Sequence, residues 1–89
     1  MRQAYFTNRF KKDVKRQNKR RKNLSKLSDL IDHVCEFGDA PDHCKPRNLV
    51  GNWAGYRECH IESDWLLIFT IEDDTATFHR TGTHSDLFR

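Results

Sequence analysis

Residues 51–65 read GNWAGYRECHIESDW, from Gly51 to Trp65. A loop glycine leads into a strand, the strand into a turn at Glu62-Ser63-Asp64, and the turn into a second strand opening at Trp65. Between Tyr56 and Ile61 the residues alternate. Arg57, Cys59 and Ile61 share one face and Tyr56, Glu58 and His60 the other, the period of two that a strand imposes. The next run, WLLIFTIE from Trp65 to Glu72, is apolar on both faces, which predicts a central strand covered on both sides. Asp73-Asp74 supplies a turn. Thr75 to Thr81 then returns, with Ala76, Phe78 and Arg80 alternating with Thr77 and His79. Three strands so closely spaced predict an antiparallel meander.

Upstream the period changes. Gln3 to Phe6 is a short apolar and aromatic stretch that suits an edge strand, and Thr7 is placed to cap a helix behind it. Phe6, Phe10 and Val14 recur every four residues as a narrow apolar stripe, while Lys11, Lys12, Lys15, Arg16 and Lys19 fill the opposite face. The pattern fails between Asn18 and Asn23. It resumes more strongly over a second helix, Leu24 to Glu36, whose Leu24, Leu27, Leu30, Ile31, Val34 and Cys35 share one side. Gly38 is available for the left-handed stop. Residues 38–49, GDAPDHCKPRNL, read as a loop. The expectation is an α+β domain: an N-terminal strand and two-helix hairpin packed on a small, mainly antiparallel four-stranded sheet.

A chain of 89 residues supports one domain, here 1–89, with one modest core. Its 36% hydrophobic and 33% charged content is that of a globular chain and excludes a disordered one. The net charge of +3 hides a strong asymmetry: residues 11–26 hold nine Lys or Arg against one Asp. Such a face suits an anionic partner, nucleic acid before membrane, although a basic helix face is also commonly just solvated. No apolar run approaches the roughly 20 residues of a membrane span, and the N-terminus lacks the apolar core of a signal peptide. Cys35, Cys44 and Cys59 are odd in number and share no CxxC spacing, so a reducing, cytoplasmic setting without disulfides is expected.

The residues with chemical potential gather around the meander. His60 and Asp64 flank one tight turn. Gly82 permits an abrupt change of direction that returns His84 towards the sheet. Arg80 offers a permanent charge and a planar donor fork suited to phosphate. Singly, a histidine is more often a surface or satisfied core residue, Asp64 a turn residue, and Arg80 an ion-pair partner. Trp53, Tyr56 and Trp65 read equally well as core. The joint position of His60, Asp64, Arg80 and His84 at strand ends points to proton transfer beside a phosphate. Zinc is the competing idea, from His33, Cys35, His43, Cys44, Cys59 and His60. The spacing argues against it, because His33 and Cys35 diverge on a helix and the other four are adjacent pairs.

These residues resemble the YafQ-like branch of the RelE superfamily, bacterial toxins of type II toxin–antitoxin systems. The resemblance is carried by Leu49–Trp53 (LVGNW), Gly55-Tyr56-Arg57, His60, Asp64–Phe69 (DWLLIF) and, most specifically, Arg80–Phe88 (RTGTHSDLF). The N-terminal half is similar in layout, with Lys12-Asp13-Val14-Lys15 as a local echo. The resemblance implies a small ribonuclease that cuts messenger RNA in the ribosomal A site without metal or other cofactor. Its expected partners are a cognate antitoxin, the 70S ribosome and mRNA; the toxin alone is expected to be monomeric and the antitoxin-bound form a bridged assembly. His60, Asp64 and His84 would share acid–base work, Arg80 would hold the scissile phosphate, and Phe88 would support the substrate or the active-site tail. Arg47, Arg57, Trp65 and the basic set Lys11, Lys12, Lys15, Arg16 and Lys19 are the expected contacts for substrate or ribosome. Arg47 stands where the family usually carries another histidine, four residues before Gly51, so either the arginine acts electrostatically, or His43 swings in from the loop, or activity is altered. A non-catalytic toxin of the ParE branch that inhibits DNA gyrase, or a plain basic nucleic-acid-binding module, are the alternatives.

Overall fold

The computed structural model describes residues 1–88; Arg89, the last residue of the expected domain, lies outside them. Strand β1 (Gln3–Phe6) leads into helix α1 (Asn8–Lys19), whose first turn is capped by Thr7, the hydroxyl accepting from the Phe10 N–H at 3.0 Å. Helix α2 (Leu24–Phe37) is capped by Asn23 and ends at Gly38, which takes φ 79°. A Cβ there would also strike the Arg2 guanidinium at 2.9 Å.

The sheet follows in the order β1-β5-β4-β3-β2, with β2 at Arg47–Asn48, β3 at Arg57–Glu62, β4 at Trp65–Glu72 and β5 at Thr75–Gly82. β3, β4 and β5 form the expected antiparallel meander, and β1 lies at one edge, parallel to β5. The sheet has five strands rather than four. The additional strand, β2, is only two residues long and pairs Arg47 with Glu58 and Asn48 with Arg57. Two residues carry no readable alternation. Side chains reinforce the pairing instead, Arg47 bonding Glu58 and Arg57 bonding Asn48. A third helix, α3 (His84–Leu87), was also outside the expectation.

Both faces of β4 are buried, as its two-sided apolar sequence requires. On one side Trp65, Leu67 and Phe69 pack with Phe78, Cys59 and the stripes of α1 and α2. On the other, Leu66 and Ile68 meet Leu87 of α3, together with Leu49, Trp53 and Tyr56. Full burial of Trp65, Phe69 and Phe78 contributes about 1.5–3 kcal/mol for each ring relative to leaving it in water. The α1 stripe is narrower than its spacing suggests. Phe10 is buried and Phe6, stacked on it at 5.5 Å, stays 41% exposed, while Asp13 and Gln17 take buried positions. All three cysteines are buried and reduced. No helix among the described residues is long and apolar enough to cross a membrane.

Two irregularities in the ladder position the site. Between β3 and β4 the register passes from His60 opposite Leu66 to Glu62 opposite Trp65, leaving Ile61 as an extra residue. Between β4 and β5 it passes from Phe69 opposite Phe78 to Ile68 opposite Arg80, leaving His79 extra. Each bulge re-aims the side chains beside it.

Candidate active site

Asp64, in the β3–β4 turn, reaches the start of α3. Its Oδ1 accepts from the His84 backbone N–H at 2.9 Å and contacts the His84 Nδ1 at 2.6 Å. An ionised carboxylate only accepts, so Nδ1 carries a hydrogen and the outer nitrogen, Nε2, is the one available for chemistry. The same contacts, the backbone N–H first and the ring second, hold the Asp64 carboxyl below its usual range.

His60 is fixed in a parallel way. Its Nδ1 lies 3.3 Å from the Ser63 carbonyl, which also only accepts, so its Nε2 points inward. That nitrogen sits 3.5 Å from Oε1 of Glu58, a carboxylate with no solvent exposure. Glu58 Oε2 accepts from Arg47 Nη2 at 3.2 Å, whereas Oε1 has no hydrogen-bond partner. A buried carboxylate oxygen left without a hydrogen bond is unusual. The two imidazole rings are 5.9 Å apart, and the Phe88 ring lies 6.4 Å from His84.

The short helix that presents His84 is pinned from behind. Thr83 and Asp86 form a capping box, each side chain bonding the other residue's backbone N–H. Asp86 also takes a two-pronged contact from Arg20 at 2.7 and 3.1 Å, with Arg16 at 3.5 Å. Chiefly because of Arg20, its carboxyl falls well below the usual carboxylate range. The basic helix α1 is thus tied to α3 and, through it, to the end of the sheet that presents His84.

The structure therefore brings together His60, Asp64, His84 and Phe88, and joins Arg47 to them through Glu58. Other expected site residues are placed differently. Arg80 closes its fork on buried Asp13, with Nε to Oδ2 at 2.7 Å and Nη2 to Oδ1 at 3.2 Å; only Nη1 makes no hydrogen bond among the described residues. Arg57 spends its nitrogens on Asp39 and Asn48. Trp65 is a correction. It is wholly buried with its indole N–H donated to Thr81, so it cannot touch substrate or ribosome and serves as core. Lys11, Lys12, Lys15, Arg16 and Lys19 are exposed. His43 is exposed too and shares with His60, Lys45 and Ser63 the lining of a cavity of about 370 Å³.

Glu58 is the residue that sequence reasoning passed over, although alternation had placed it on the face of His60, two positions away. Asp86 was passed over as well; Thr-x-x-Asp across Thr83–Asp86 was the available signal. Glu58, His60 and His84 offer ligand atoms within 4.8 Å of one another, a two-histidine, one-carboxylate set suited to a transition-metal ion. Such an ion would engage the same nitrogens that proton transfer needs.

The class the structure defines is a small α+β domain that sets two histidines and two carboxylates at one end of its sheet beside a basic helix. The chain belongs to the YafQ family, described as a bacterial toxin of type II toxin–antitoxin system, whose sequence pattern it matches over residues 2–89. It is 39% identical over 84 residues to the mRNA interferase toxin YafQ of Escherichia coli strain K12, covering 93% of this chain and 91% of that one. The structure superimposes on YafQ in the E. coli DinJ–YafQ complex with a TM-score of 0.90 at 38% identity, across 100% of both chains. A metal-bound toxin from Helicobacter pylori is likewise similar, with a TM-score of 0.89 at 29% identity over 99% of this chain and 100% of that one.

Proposed function

We propose that this chain is a ribosome-dependent endoribonuclease that cuts translated mRNA in the A site, and that a cognate antitoxin silences it. The observation that supports this most is the pairing of each imidazole with its own carboxylate, Asp64 with His84 and Glu58 with His60, a ring's width apart. A protein that only binds needs no such pairs.

RNA brings its own nucleophile, the 2′-hydroxyl, so the site has to supply a base, an acid and charge stabilisation. Glu58 Oε1 and His60 Nε2 face each other as two acceptors across 3.5 Å, which makes a seat for one proton. The 2′-hydroxyl loses its proton to that seat as its oxygen attacks the adjacent phosphorus. The P–O5′ bond breaks, and His84 Nε2, with Nδ1 held on Asp64, delivers a proton to the departing 5′ oxygen. The products are a 2′,3′-cyclic phosphate, or the 3′-phosphate it opens to, and a 5′-hydroxyl. Arg80 stabilises the phosphorane through Nη1, Asp13 holding the remainder of its fork in place. Arg47 takes the electrostatic role at the position where the family usually has histidine. No metal enters this scheme.

The basic face of α1 meets ribosomal RNA phosphates. The groove between α1 and α2, lined by Phe10, Val14, Leu27 and Ile31 with Lys11 and Lys15 on its lip, seats an amphipathic, acid-flanked segment of the antitoxin. The free toxin is a cytoplasmic monomer and the silenced form an antitoxin-bridged assembly.

The deciding experiment is induction of the chain alone in bacteria beside His84→Ala, with primer extension on an abundant message. In-frame cuts that appear only with the wild type, and only while the message is translated, are expected. Growth arrest with intact messages would instead mean a binding toxin of the ParE kind.

A further inference from the structure

Next to the acid–base centre lies a cavity of about 200 Å³ that the reaction above leaves unused. Its walls are Arg47 and Asn48 of β2, Leu49 and Val50 of the following loop, the Trp53 indole and the Phe88 ring. We propose that this cavity is a nucleobase subsite, which holds the unpaired base beside the scissile phosphate, stacked on the Trp53 indole with its edge towards the Phe88 ring. The inference rests on the ribonuclease reading.

Three observations carry it. The aromatic pair is set edge to face, with ring centroids 5.6 Å apart at 78°, so the cavity has aromatic walls turned nearly at right angles. Val50 is 84% exposed and Phe88 38% exposed at the rim, apolar surface that nothing in the fold covers. The cavity also joins the reacting centre at two points. Arg47 lines it while bonding Glu58, and Phe88 lines it while lying 6.4 Å from His84. A nucleotide with its phosphate between the imidazoles therefore has its base delivered to these rings. Stacking on aromatic faces beside an arginine is how single-stranded RNA is commonly held, because every base has a π-face. The same cavity is too small for a folded peptide segment.

The two tryptophans of the chain make the test specific. Trp53 is in the cavity, and Trp65 is buried with its N–H committed to Thr81. The full chain, labelled with nitrogen-15, is titrated with a trinucleotide whose cleavage position is 2′-deoxy and so cannot react. The Trp53 indole resonance should move and saturate while that of Trp65 stays still. Val50→Asp, at a position too exposed to disturb the core, should weaken the titration roughly tenfold, and Trp53→Phe by less. On translated messages Val50→Asp should raise KM and leave kcat nearly unchanged. If Trp53 stays still while the His60 and His84 ring signals move, the subsite is overturned and the catalytic reading stands. Silence from all three also overturns the subsite, and the induction experiment then judges the ribonuclease reading on its own.

Discussion

Asp64 accepts both bonds that orient His84, and that makes its substitution informative. Asp64→Asn keeps the shape but loses the ionised acceptor, and should lower kcat by about 10²-fold while KM changes little; His84→Ala should lose 10²–10⁴-fold. A single-turnover assay on both variants separates positioning from chemistry. Metal ions probe the same nitrogens. EDTA should leave purified activity unchanged once ribosomal magnesium is controlled. Added Zn²⁺ should inhibit by occupying Glu58, His60 and His84, and Glu58→Gln should bind it more weakly by calorimetry. Zn²⁺ that raised activity would overturn the metal-free scheme. Asp86 gives the pH dependence. Its folded carboxyl is held below the ordinary value, so its contribution to stability is complete above that ordinary value and fades as pH falls through the depressed one. Asp86→Asn should therefore destabilise by about 1 kcal/mol at neutral pH. The gap in melting temperature between variant and wild type should close in acid.

At the scale of elements, α3 behaves as a latch. Gly82 lies where an added Cβ would come within 2.8 Å of Asp86 Oδ2 and 2.9 Å of its Cβ, so Gly82→Ala must displace the carboxylate of the capping box. Both Gly82→Ala and Arg20→Ala should cut kcat, with Arg20→Lys restoring part of it, and neither should abolish antitoxin binding. Equal loss in Arg20→Lys and Arg20→Ala would deny the latch. Elements of this kind show what the chain discloses about itself. The meander, the two helices, the Thr7 cap and the Gly38 stop were legible because each repeats a period or ends one. β2 was not, because two residues cannot show alternation. α3 was not, because four residues cannot show a helical stripe, leaving only its capping box to betray it. At the site, His60, Asp64 and His84 were readable as residues around one turn. That Arg80 and Arg57 would be drawn into internal pairs was not, since Asp13 and Asp39 lie far from them in sequence and only tertiary packing brings them close.

For the whole molecule, the basic residues of α1 are divided between two roles. The lysines of α1 face outward while Arg20 and Arg16 anchor the helix to α3. Reversing Lys11, Lys12, Lys15 and Lys19 to glutamate should weaken ribosome binding and flatten its dependence on salt, leaving the melting temperature near that of the wild type. Binding that kept its full salt slope would remove α1 from the contact.

The contacts that complete the fold join opposite ends of the described chain: Gln3 with Thr75 in the sheet, Asp13 with Arg80, Arg20 with Asp86. Each closes a loop of more than sixty residues, and such non-local pairings carry a loop-closure cost that the local contacts of the helices do not. A nascent chain that has not yet released β5 and α3 can form its helix hairpin but lacks His84, Arg80 and the Asp86 that holds Arg20. A chain still in synthesis therefore lacks the Asp64–His84 pair until its last strand and helix emerge.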